Sequence, residues 1–235
     1  MNEKLTKIFS AAPKVLLGIT HVPENISLPV ADLRWAISIA IPLSQTIIET
    51  IDKAPSKLYK HHYRQVNSLL DQMALAISLT LQEDGMQTLP IPASQIVDWS
   101  VPRGDIDHRR VAMKAGLGWI GRHGLLVTPE YGARQRLITI LCHEKPELPP
   151  ALLTTRELPK DGCGKCRACI SKCPGKAISD TPEQLNVKAC HEVCADFSKR
   201  LVGVRICGIC IKQCRPKARP SLSQQKDTPE RLNRR

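Results

Sequence analysis

Three features of the sequence predict a mixed α/β (α+β) fold: an isoleucine-rich alternating stretch, a long amphipathic helix, and two strand-like runs joined at a proline–glycine turn. From Arg34 to Ser44, RWAISIAIPLS alternates as a half-buried strand does, and Pro42 ends it. Between Lys57 and Asp84, the residues Tyr59, Tyr63, Val66, Leu70, Met73, Ile77 and Leu81 recur at intervals of three and four, with Gly85 as a stop. That stripe is read as core. Leu89 to Ile96 carries Pro90 and Pro92, which removes ladder donors and suits an edge strand or an extended loop. After the polar stretch DWSVPRGDIDHRR, Val111 to Ala115 reads as the end of a short helix closed by Gly116. The loop GLGWIGRHG follows. GLLVTPEYGARQRLITILC then reads as two strands of a hairpin joined at Pro129-Glu130-Tyr131-Gly132, with Tyr131 as a turn residue.

The 235 residues suffice for one large domain or two small ones, and a composition of 42% apolar and 24% charged residues is that of a globular chain. Only 3% are aromatic, which argues against a surface of many stacking rings. No stretch reaches the roughly 18 consecutive apolar residues of a membrane span, and MNEKLTKIFS lacks the apolar core of a secretion signal. A soluble cytoplasmic protein with no membrane partner is expected. HEKPELPPALLTTRELPK, from His143 to Lys160, has linker composition. It sets the expected division: an α/β domain over 1–150, a cysteine-rich domain over 151–216, and a basic disordered tail over 217–235.

Ten cysteines carry the most information, and all but Cys142 lie between residues 163 and 214. Thiols in a reducing compartment point to metal or catalysis before disulfides. The run Cys163-x2-Cys166-x2-Cys169-x3-Cys173-Pro174 has the bacterial ferredoxin spacing, in which three thiolates wrap one 4Fe-4S cubane and the fourth reaches another. Zinc would ordinarily take two separated pairs. The second run, Cys190 with Cys207-x2-Cys210-x3-Cys214, supplies the reciprocal set. The expected ligands are Cys163, Cys166, Cys169 and Cys214 on one cluster and Cys173, Cys190, Cys207 and Cys210 on the other. Cys194 competes with Cys190 for its role, and Cys142, ending an apolar strand, is read as a buried inert thiol.

Lys and Arg total 34 against 22 Asp and Glu, a formal charge of +12. Two thiolate-bound clusters would add about −4 and bring it to about +8. Part of the remainder lies in Arg215, Lys217, Arg219, Lys226, Arg231, Arg234 and Arg235. An RNA-binding protein with structural clusters is the reading that rests on this excess.

VAMKAGLGWIGRHGLLVTPEYG, a hydrophobic strand, a proline-rich link, CGKCRACISKCPGKAI and a late CGICIKQC occur in the order that resembles epoxyqueuosine reductase and its relative, the corrinoid reductive dehalogenase. The likeness runs over about residues 95 to 215. It implies a nitroreductase-like α/β domain followed by a small ferredoxin-like double-cluster domain. It also implies a cobalamin against AGLGWxG, reduced by the clusters to a low-valent cobalt that attacks the substrate. A broad flat ring needs close backbone approach, which Gly116, Gly118 and Gly121 would allow, with Leu117 and Trp119 beside them; Trp119 packs either on the ring or in the core. The resemblance further implies an acid near the cobalt, with Asp98 in QIVDW its nearest counterpart and Asp105, Asp107 and His108 as competitors. It implies a low-potential electron donor of ferredoxin or flavodoxin type, and queuosine tRNA modification. The helical-repeat extension that holds tRNA in the family is expected to be absent, leaving a small-molecule or a tRNA substrate open. The alternative is a dicluster electron-transfer protein that docks on a redox partner without cobalamin.

Overall fold

The computed structural model describes residues 2–10, 15–97 and 104–215. Asp98 and the 217–235 tail lie outside the described residues. Four strands form an antiparallel sheet in the order β1-β2-β6-β3: β1 is Leu16–His21, β2 Trp35–Pro42, β3 Thr88–Ile91 and β6 Gln135–Cys142. The isoleucine-rich stretch is β2, nearly all of it buried because it is central and covered on both faces. The proline-bearing β3 is an edge strand.

Helix α1 (Asn2–Ser10), the short α2 (Gln45–Glu49) and α3 (Lys57–Glu83) pack on one face of the sheet. Ser56 caps α3 by accepting the Tyr59 N–H at 3.0 Å. Its stripe of Tyr59, Val66, Leu70, Met73, Ile77 and Leu81 is buried, as the periodicity requires. Helix α4 (His108–Lys114) lies across the other face, where Val111 and Ala112 are buried.

The hairpin read for residues 125–142 is corrected. β5 (Leu126–Val127) pairs with β4 (Trp119–Ile120) across the turn at 121–125, while β6 enters the main sheet between β2 and β3. A single bridge, Thr128 to Gly132, remains at the predicted turn. The two-residue β4 and β5 are too short for periodicity to detect.

The cysteine-rich part contains α5 (Ala168–Lys172), α6 (Val187–Phe197), a π-helical turn over Ser198–Val202, and α7 (Ile209–Gln213). Phe197, Val202, Ile206, Ile209 and Ile211 share one buried cluster with α3 and the sheet. The proline-rich stretch before it is strapped to the sheet edge: Thr154 donates its N–H to the Leu17 carbonyl at 2.8 Å, and its Oγ1 accepts the Leu17 N–H at 3.0 Å. No helix among the described residues is long and apolar enough to cross a membrane.

Candidate metal centre and the adjoining cleft

All ten thiols are free. The fold brings eight of them into two neighbourhoods. At the outer one, burial and then the charges of Cys163, Cys169 and Cys166 push the Cys214 thiol up to about 12. Cys169 is raised by burial and by Cys163 and Cys166. At the inner one, burial pushes Cys207 up to about 11, with Cys190 and Cys173 adding to it. Burial and then Cys207, Cys190, Cys169 and Cys173 raise Cys210 well above the ordinary thiol value. Ionised together without a cation, each set repels itself; a bound metal removes that cost by deprotonating its ligands outright. Among the described residues, no three His, Cys, Asp or Glu side chains form a group able to hold a single metal ion. Tetrahedral zinc would draw four sulfurs to about 3.8 Å of one another.

The inner thiols Cys173, Cys190, Cys207 and Cys210 line a cavity with His123, Pro174, Gly175, Ile178, Leu185 and Val193. The Ala177 N–H donates to Cys173 Sγ at 3.3 Å. Cys194, one turn beyond Cys190 on α6, donates its thiol proton to Cys190, which lowers Cys190 to about 7. Cys194 is thereby a companion of the inner set in this thiol form. Cys142 is buried at the end of β6, where burial raises its thiol to about 12.

Local backbone explains why these loops fit. Gly208 has φ 79°, and a Cβ there would meet Ile51 Cδ1 and the Tyr59 ring at 2.7 Å. Only glycine lets the 207–210 loop lie against α3. Arg134, 3% exposed, donates to the Lys212 carbonyl at 2.6 Å and holds α7 to the start of β6.

The glycines of the loop at 116–124 have packing roles of their own. Gly116, at φ 76°, ends α4 in a Schellman turn: its N–H reaches the Met113 carbonyl at 3.1 Å, and Leu117 N–H the Ala112 carbonyl at 3.0 Å. A Cβ on Gly118 would fall 2.0 Å from the Val127 carbonyl oxygen, and one on Gly121 2.7 Å from Val127 Cγ2. Leu117 is fully buried with Leu16, Ala40, Ala112, Leu126 and Leu137. On the side a Cβ would take, Gly118 and Gly121 pack against β5, while Gly116 has open space beside it.

The loop also clamps the cysteine segment. Gly162 lies against Trp119, with 3.0 Å from a notional Cβ to the indole Cδ1. Arg122 donates to the Gly164 carbonyl at 2.7 Å. His123 walls the inner cavity, and Gly124 packs against Leu185. Arg122 and His123 were both visible in GRHG, but no local pattern tied them to residues 40 to 90 positions away.

On the other side of this loop, Trp119, Ile120, Gly124, Arg109, Arg110 and Lys114 help line a cleft of about 690 Å³. Leu185 lies between the cleft and the inner thiol cavity and lines both. A second hollow of about 570 Å³, which includes Asp105, Asp107 and His108, continues along α4. Asp107 is the N-cap of α4, accepting from the Arg109 N–H at 3.1 Å and pairing with the Arg109 guanidinium at 2.8 Å. Burial alone would raise its carboxyl, but the bonds and charge from Arg109 outweigh it and leave it below the ordinary value. His108 bridges Thr139 Oγ1 at 2.8 Å and the Pro92 carbonyl at 3.1 Å, and burial lowers it to about 4. Both side chains are thus engaged in holding the fold, Asp107 at the start of α4 and His108 between β6 and the Pro92 carbonyl.

No family model matches the chain. An epoxyqueuosine reductase from Staphylococcus aureus is 31% identical over 136 residues, covering 54% of this chain and 33% of that protein. The match thus spans about a third of that relative's length. A reductive dehalogenase, whose structure suggests a mechanism for B12-dependent dehalogenation, aligns with a TM-score of 0.66 at 16% identity, over 88% of this chain and 30% of its own. An epoxyqueuosine reductase crystallised with a tRNA-Tyr epoxyqueuosine-modified stem loop aligns with a TM-score of 0.54 at 18% identity, over 92% and 64%. The chain is therefore similar in sequence to epoxyqueuosine reductases over part of their length and has the fold that they share with the reductive dehalogenase.

Proposed function

We propose that the chain is an iron-sulfur reductase of the epoxyqueuosine reductase type, with two 4Fe-4S clusters in residues 151–216 and a cobalamin-dependent reaction site in residues 1–150. The observation that carries this is the gathering of eight thiols into two neighbourhoods, where burial and then the charges of neighbouring cysteines raise Cys169 and Cys214 in one and Cys207 and Cys210 in the other. Those thiols are near enough to repel one another, yet form no site for a lone ion. A cubane, with iron at its corners, takes four thiolates spread in this way.

The cleft beside Trp119 is where cobalamin would be held, with Trp119, Ile120 and Gly124 from the loop and Arg109, Arg110 and Lys114 from α4. When bound, cobalamin supplies the reductive chemistry at the substrate. The chain's contribution is position and charge. Arg109 is fixed by Asp107 and by the Gly124 carbonyl, which it reaches at 2.7 Å, so a cationic wall is preorganised for an anionic group. Leu185 lines both the cleft and the inner cavity and so puts the two spaces side by side. Reduction also consumes protons, and Asp98 is the proposed source. The structural relative solved with a tRNA stem loop supports tRNA as substrate, as does the basic wall.

The deciding experiment is iron, sulfide and cobalt analysis of anaerobically isolated protein, with a cobalamin titration followed by absorbance. About eight irons and eight sulfides per chain and a spectral change on adding cobalamin are expected. Thiols paired in disulfides or holding zinc would overturn the cluster assignment. Intact clusters that leave cobalamin free would favour the dicluster electron-transfer reading.

A further inference from the structure

We propose that His123 donates a hydrogen bond from the glycine loop to the inner cluster, a positioning residue that sets that cluster's reduction potential. The inference rests on reading Cys173, Cys190, Cys207 and Cys210 as ligands of an iron-sulfur core. His123 lies in the turn between β4 and β5 and is 6% exposed. Its ring packs over Gly121, where a Cβ would stand 2.8 Å from Cε1 and 3.3 Å from Nδ1. Nδ1 accepts the Leu125 N–H at 3.1 Å.

An imidazole nitrogen that accepts a hydrogen bond carries no proton, so the neutral ring must carry its proton on Nε2. Burial keeps the ring neutral, lowering it to about 4. No acceptor for this N–H is present among the described residues. The ring lines the inner cavity, where the other polar side chains are the four cysteines. A cluster held by those cysteines would present sulfur to it.

The consequence is electrostatic. A hydrogen bond to a cluster or ligand sulfur stabilises the reduced, more negative state and raises the potential. The same loop carries Trp119 and Gly124 into the cleft, so the group that tunes the inner cluster is built on the wall of the reaction site.

The test is an EPR-monitored potentiometric titration of the full chain with both clusters in place, comparing wild type, His123→Leu and His123→Gln. In His123→Leu the inner cluster's midpoint should move down while the outer stays put, and His123→Gln, which keeps an N–H, should restore part of the shift. Independently, wild-type protein labelled with 15N at histidine should show a nitrogen hyperfine coupling to the reduced inner cluster. A cluster-replete His123→Leu with an unmoved midpoint, or a wild type without the coupling, overturns the proposal. If His123→Leu fails to retain iron, the coupling in the wild type decides alone. A wild type that binds no iron under anaerobic reconstitution overturns the cluster assignment, and this proposal with it, before any titration begins.

Discussion

The two thiol sets occupy different environments. In the outer set Cys166 is exposed and Cys163 half-buried on a loop, while Cys169 is buried in α5 and Cys214 caps α7, and the loop is tethered to the rest of the chain through Arg122 and Trp119. The inner set is walled by apolar side chains, and Cys207 and Cys210 pack against the main core. Sequence spacing makes the sets look interchangeable. Packing separates them into one that a donor can approach from solvent and one that adjoins the cleft through Leu185.

The largest expected effect comes from removing one ligand from each set. Cys166→Ala and Cys210→Ala should each lower iron content by about half. Cys166→Ala should leave the metal-free protein's stability within about 0.5 kcal/mol, whereas Cys210→Ala should cost roughly 1 kcal/mol because it empties part of a packed site. Iron analysis with thermal unfolding of both variants checks this, and equal stability losses would erase the distinction between the sets.

Gly118→Ala sharpens what stands between them. Its Cβ would strike the Val127 backbone, so cofactor-free protein should lose about 1–3 kcal/mol in denaturant unfolding. A glycine kept only for a ring would leave the metal-free and cobalamin-free chain unaffected.

Asp107→Ala removes the cap that fixes the cationic wall beside the inner set, and should cost about 1 kcal/mol at neutral pH. The folded-state pKa of Asp107 is depressed, so its stabilisation is present above the unfolded carboxyl value of about 3.9 and fades as pH falls below that through the folded pKa. The gap between wild type and variant should therefore close toward low pH, which unfolding curves at several pH values will show. Arg122→Ala, which cuts a partly exposed tether to the outer loop, should be the mildest change at about 0.5–1.5 kcal/mol. It should speed proteolysis near Gly164 without altering the inner cluster's signal.

Much of this architecture was legible in order along the chain. The stripe of α3 and the alternation of β2 are local patterns that correspond to elements at nearly the expected bounds, while the proline-bearing stretch read from Leu89 to Ile96 is an edge strand only over Thr88–Ile91. β1 and α6 were missed: LLGITH is too short to stand out from its surroundings, and the apolar face of α6 is broken up by its cysteines. The glycine loop stands out by composition, whereas its packing contacts do not. Nothing local says that Gly118 faces the carbonyl of Val127 or that β5 turns back onto β4.

By itself the sequence determined the mixed fold, the two sets of four cysteines and the chemistry those thiols invite, because periodicity and ligand spacing are short-range properties of a chain. The tertiary structure alone decided which thiols line the closed cavity, which loop clamps the cysteine segment, and which ring nitrogen is left with a proton and no described acceptor beside the inner sulfurs. Those depend on contacts between residues far apart in sequence, where burial and hydrogen-bond partners exist only once the chain has closed on itself.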